Sequence, residues 1–73
     1  MISKENDKTK ELLKFYFEKK ISVHIKFKES GWINGLILKI EYDKIILDEN
    51  KYGEMLIFID KILEVNPMKE RGE

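Results

Sequence analysis

The chain has no cysteine, and one histidine, one tryptophan and one proline among its 73 residues. Without cysteine, disulfides and thiolate metal sites are excluded. A lone histidine, His24, builds neither a histidine-rich metal cluster nor a Ser-His-acid set, and no glycine-rich phosphate loop is present. An excess of one charge is missing as well. Lys+Arg and Asp+Glu each number 14, so the formal net charge is zero. That argues against a non-specific polybasic nucleic-acid binder, while leaving room for a local basic patch on a folded surface. No apolar run approaches membrane-spanning length, so no transmembrane helix is expected. The opening MISKENDKTKE carries acids and lacks an apolar segment, so a signal peptide is not expected and a cytoplasmic location is. Neither an enzyme nor a cofactor nor a metal is expected. Glu41 and Asp43 flank Tyr42, and alternation puts them on one face; exposed strand-end acids explain this more simply than acid/base chemistry does.

Charged residues make up 38% of the chain. Lysine far outnumbers arginine, and Glu and Ile are abundant, a composition that fits a thermophile's. A chain this short forms one domain with a marginal core. Small scaffolds usually add disulfides, a metal or oligomerisation. The first two are excluded, so self-assembly is expected.

From about residue 6 to 19 there is no Gly or Pro, and Leu12, Leu13, Tyr16 and Phe17 recur at helical spacing. An amphipathic helix is expected there, with Ser3 or Asn6 as its cap and Glu11, Lys14 and Glu18 as ion-pair candidates on its surface. Lys19 and Lys20 follow, where cations suit the negative end of the helix dipole. Next, SVHIKF alternates: Val23, Ile25 and Phe27 face one way, and Ser22, His24, Lys26 and Lys28 the other. This is a half-buried strand over about 22–28. A turn at Glu29-Ser30-Gly31 leads to a second strand, 32–41, which is expected to bend near Gly35. Strands over 45–48, 54–59 and 62–66 complete five, with Asp60-Lys61 as an interruption. Pro67 ends the last strand, and 68–73 is a polar tail. The barrel should occupy about 21–67. The fourth and fifth strands would be its exposed edges, and EMLIFI is apolar enough to call for a partner. Head-to-tail pairing of such edges closes a ring.

This order of helix, SVHIKF, turn, GLILKIEYDKIILDE with Gly35, and FIDKILEVNP resembles the Sm-like family, most closely its Hfq branch, in an archaeal form. The likeness spans about residues 8–67. It implies a mainly β fold: an N-terminal helix and a small, strongly bent five-stranded antiparallel barrel of SH3 type, assembled into a homo-oligomeric ring, a hexamer in the Hfq branch. It also implies binding of uridine-rich single-stranded RNA near the central pore, as an RNA chaperone or post-transcriptional regulator. On the pore face, family members use a polar-then-aromatic pair after strand two. Tyr42 and Asp43 stand there, so the aromatic comes one residue early. The family's Lys-His pair after strand four is replaced by Ile59-Asp60, with Lys61 next in line to supply the cation and Asp60 an acceptor for a uracil N–H. Thr9 matches a polar helix contact. On the opposite face Lys26 replaces the strand-one aromatic used for adenine-rich RNA, with Trp32 and Asn34 as compensating candidates. On the rim, Phe17, Glu18 and Lys20 replace an arginine patch, with Lys19 between them.

Bland readings stand beside these. His24 is a solvated or surface-paired histidine or an RNA contact. Trp32 packs under the helix or at an interface, or stacks a base. Asp60 and Lys61 pair across a tight turn or contact RNA. A second functional class stays open: an SH3-like oligomerising protein-interaction module without RNA.

Overall fold

The computed structural model describes residues 4–68. Helix α1 (Lys4–Lys19) is followed by β1 (Val23–Phe27), β2 (Trp32–Ile40), β3 (Lys44–Glu49), β4 (Gly53–Phe58) and β5 (Ile62–Pro67), with a 3-10 turn at Ile59–Lys61. The chain is mainly β: a helix and one five-stranded antiparallel sheet, in the order β4-β3-β2-β1-β5. The helix begins earlier than its periodicity suggests, so Asn6 lies within it rather than at its cap. Ser3 and residues 69–73 of the polar tail lie outside the described residues.

The end of α1 is built from backbone. Lys20 N–H donates to Phe17 C=O (3.2 Å) and Ile21 N–H to Tyr16 C=O (3.0 Å). This pairing needs a left-handed residue after the helix, and Lys20 takes that role at φ 58°. It turns the chain into β1 with two carbonyls satisfied. Within the helix the expected stripe divides. Leu13 is fully buried, Tyr16 and Phe17 are half-buried against the core, and Leu12 faces outward. Among the described residues Glu11, Lys14 and Glu18 form no ion pair; the ion pairs there lie at positions 39–44.

The alternation expected of β1 holds: Val23 and Ile25 are buried and Phe27 packs at the core margin. Val23 pairs with Gly35 of β2, which in turn faces Glu49 of β3. A Cβ built on Gly35 would lie 2.5 Å from the Asp48 carbonyl oxygen and 2.9 Å from the Leu47 side chain. Gly35 therefore lets β2 and β3 approach closely. The irregularity expected there lies instead between Ile37 and Lys39, where the register with β3 slips by one residue. This bulge re-aims β2, so that Ile40 rejoins the core side opposite Ile45.

Leu13 joins Val23, Ile25, Ile37, Ile45, Leu47, Ile57, Ile59, Ile62 and Val65 in one core cluster. The helix, all five strands and the 3-10 turn contribute to it. β4 and β5 are the two edges of the sheet, and each hydrogen-bonds to one neighbour only. Their outward side chains include Leu56, Phe58 and Leu63, exposed by 51%, 48% and 59%.

Gly35→Ala is expected to lower stability by about 1–3 kcal/mol, the usual cost of forcing extra volume into a packed site. Urea unfolding of the variant checks this, and an unchanged midpoint would remove the close-approach explanation.

Candidate functional site

Tyr42 follows β2 at the corner leading into β3, and its side chain is 82% exposed. An aromatic this open contributes nothing to the core. It is held from the helix side instead. Lys10 Nζ donates a hydrogen bond to the Tyr42 carbonyl oxygen (2.7 Å) and sits 4.6 Å from the ring centroid. One contact ties the corner to α1, and the other places a cation on one side of the ring. The other side is left to solvent.

The corner's remaining charges form a small network. Lys44 Nζ lies 3.1 Å from Glu41 Oε1 and 3.3 Å from Asp43 Oδ1, while Lys39 Nζ lies 3.4 Å from Glu41 Oε2. The hydrogen bond from Lys44, with a second from Lys39, holds the Glu41 carboxyl below its ordinary range. The Glu41 hydrogen bond, then that of Asp43, raises the Lys44 ammonium. Lys39 and Asp43 are exposed and Glu41 and Lys44 half-buried at the surface, so the network orients the corner more than it stabilises the fold. Asp43 is paired with Lys44.

The backbone brings a second segment to the same corner. Ile59 N–H donates to the Asp43 carbonyl (2.9 Å), so the 3-10 turn carrying Asp60 and Lys61 abuts Tyr42-Asp43. The Lys61 carbonyl accepts from Lys28 N–H (2.9 Å), which anchors the far side of that turn. Ile59 itself is buried, so its side chain offers no contact. Asp60 and Lys61 are exposed and do not pair with each other. Four of the five residues expected on this face are thus gathered by β-sheet topology.

Thr9 is the exception. It lines a groove of about 370 Å³ between α1 and the open edge of β5, with Leu12, Leu63, Glu64 and Asn66. The helix presents Lys10 to Tyr42 in its place. Lys10 and Lys14 also line a cleft of about 400 Å³ together with Phe17, Glu18, Ile40, Glu41 and Tyr42. Sequence reading missed both lysines, although their i,i+4 spacing places them on one helical face. Of the rim candidates, Phe17 and Glu18 border this cleft, while Lys19 and Lys20 do not.

The opposite-face candidates do come together. Lys26 pairs across strands with Trp32, and His24 with Asn34. Trp32 does not pack under the helix: it is 60% exposed and lies against the His24 ring, with centroids 5.2 Å apart. His24 is surface-paired, with Nδ1 2.6 Å from Asn34 Oδ1.

Among the described residues no cluster of His, Asp or Glu is arranged to hold a metal ion, and no helix is long and apolar enough to cross a membrane. No protein-family model matches this chain, and no curated protein matches its sequence.

Because Glu41 is lowered, the ion pair's contribution is present above the unfolded-state pKa and is lost as pH falls through the folded value. NMR titration of the Glu41 side chain should give a midpoint below that of an ordinary glutamate, and Lys44→Met should move it back upward. Coincident midpoints would show that Lys44 does not hold the corner.

Proposed function

We propose that this chain is a ring-forming, non-catalytic RNA-binding protein of the Sm-like kind, nearest the Hfq branch, that takes uridine-rich single-stranded RNA. The observation that carries this reading is the Tyr42 corner. An exposed aromatic ring backed by Lys10 is suited to stack a base on its free side and hold a phosphate nearby. Asp60 is an acceptor for a uracil N3–H and Lys61 a second cation. The cleft lined by Lys10, Lys14 and Phe17 extends this surface toward the rim. No catalytic constellation is called for by this role.

The ring half of the proposal rests on the two sheet edges. One core cluster draws on both β4 and β5, which supports a sheet curled into a small barrel. The unpaired edges of β4 and β5 and their exposed Leu56, Phe58 and Leu63 are complementary in kind: each offers free backbone groups flanked by apolar side chains. Head-to-tail pairing of β4 with the β5 of another copy would seat strand-four side chains by the groove at Leu12 and Leu63. Repetition of that contact generates a closed ring, six-fold by resemblance, with a Tyr42 corner in each subunit.

Two experiments bear on these halves separately. Oligouridine should bind, with affinity falling as salt rises because phosphate contacts release counterions. Tyr42→Ala should weaken binding by about 1–3 kcal/mol. No binding at low salt would leave the protein-interaction module as the better reading, and unchanged affinity in the variant would clear Tyr42 of the role. For assembly, Phe58→Asp puts a charge on an edge strand without touching the core. Light scattering should report an oligomer for the parent chain and a folded smaller species for the variant. A monomeric parent chain would end the ring proposal.

A further inference from the structure

We infer that the outer face of β1 and β2 is a guanine-selective stacking site, in which His24 fixes the Asn34 amide so that hydrogen-bond donors face the base. The inference rests on the reading of this chain as a binder of single-stranded RNA. It concerns a different surface from the Tyr42 corner, since Trp32 opens β2 and Tyr42 lies beyond its far end.

The argument begins with one short hydrogen bond. His24 and Asn34 face each other in register, with Nδ1 2.6 Å from Oδ1. An amide oxygen accepts and does not donate, so Nδ1 must carry the hydrogen whether the imidazole is neutral or protonated. This commits the Asn34 oxygen toward β1 and turns its NH₂ group outward. Asparagine reads adenine by accepting from N6 and donating to N7 in one bidentate pair. With the oxygen turned toward β1 and already accepting from His24, that bidentate pair is disfavoured, although the second lone pair stays free. Guanine presents O6 and N7 on the same edge, and both are acceptors. They match the Asn34 NH₂ and the Lys26 ammonium, which stands across from Trp32 in the neighbouring strand. Adenine would set its own N6 donor against these donors.

Trp32 supplies the platform. The indole is 60% exposed, and the His24 ring backs it at 5.2 Å with a tilt of 36°. Stacking tolerates any base, because each has a π face. Selectivity must therefore come from the donors beside the platform, and His24 is the residue that positions them. On β5, Asn66 and Glu64 lie opposite His24 and Lys26. The Asn66 NH₂ donates to Glu64 Oε2 (2.7 Å), which engages that carboxylate oxygen, and Lys26 forms no ion pair among the described residues.

Trp32 is the only tryptophan in the 73-residue sequence, so this chain gives one indole N–H resonance in an NMR spectrum. Titration with 5′-GMP and with 5′-AMP compares the two bases directly, since both carry the same sugar and phosphate. GMP should shift this resonance and reach half-saturation at a concentration about tenfold lower than AMP. Equal or tighter AMP binding, or an indole that GMP leaves unmoved, would overturn the inference. His24→Phe keeps an aromatic behind Trp32 but frees the Asn34 amide to rotate. The GMP/AMP ratio should then fall toward one, and a ratio that persists would remove His24 from the positioning role. Lys26→Met, on an exposed position, should weaken GMP and leave AMP little changed; equal losses for both would count against the second donor. Lost oligouridine binding with GMP selectivity intact would count against the Tyr42 reading alone, and the reverse pattern against this inference alone.

Discussion

Among the described residues, ten buried apolar side chains, contributed by every element of the fold, form the core that holds the chain together. They leave no second layer to cover the outer face or the two edges of the sheet. The constraint is one of size: a chain of 73 residues cannot bury enough surface to hide all its apolar groups. Leu56, Phe58 and Leu63 remain outside at the edges, and Trp32 and Tyr42 remain outside at opposite ends of β2. Each surface to which we assign a role is made from what the core could not absorb.

The close approach of β2 and β3 at Gly35 and the bulge after Ile37 serve this economy together. The first brings the strands near enough for Leu47 to reach the core, and the second returns Ile40 to it. The same path carries the chain to a corner where Tyr42 is left largely exposed. Lys10 then anchors the corner from the helix, and the Ile59–Asp43 hydrogen bond anchors it from the 3-10 turn. The two faces differ in character as a result. The Tyr42 corner is a ring with the anchored Lys10 cation beside it and Asp60 and Lys61 on the adjoining turn, the place we propose for a stacked base and its phosphate. The Trp32 face is a ring beside an amide held by a neighbouring imidazole, a fixed arrangement suited to telling one base edge from another.

Much of the fold was legible before any coordinates. The alternation of Val23 and Ile25, the absence of helix breakers before Lys19, and the glycine of the β1–β2 turn each act through local backbone preference. Gly35 stood out for the same reason, but its cause was not local: the atom it makes room for, the Asp48 carbonyl oxygen, lies thirteen positions away. The bulge at Leu38 left no comparable mark, because leucine is an ordinary strand residue. Thr9 and Lys10 show the same limit. They are neighbours in sequence, yet about 100° apart around a helix, and only the rotation of α1 on the sheet sends one to the β5 groove and the other to Tyr42.

Local sequence, then, determined which segments are helix and strand, which side of β1 is buried, and that disulfides could play no part. Tertiary structure decided which residues meet. His24 lies opposite Asn34 because the turn after Phe27 sets the strand register, and a slip of one residue would have turned every side chain of β2 to the other face. Pairings of this kind depend on the distance between atoms remote in sequence, which composition and periodicity do not encode.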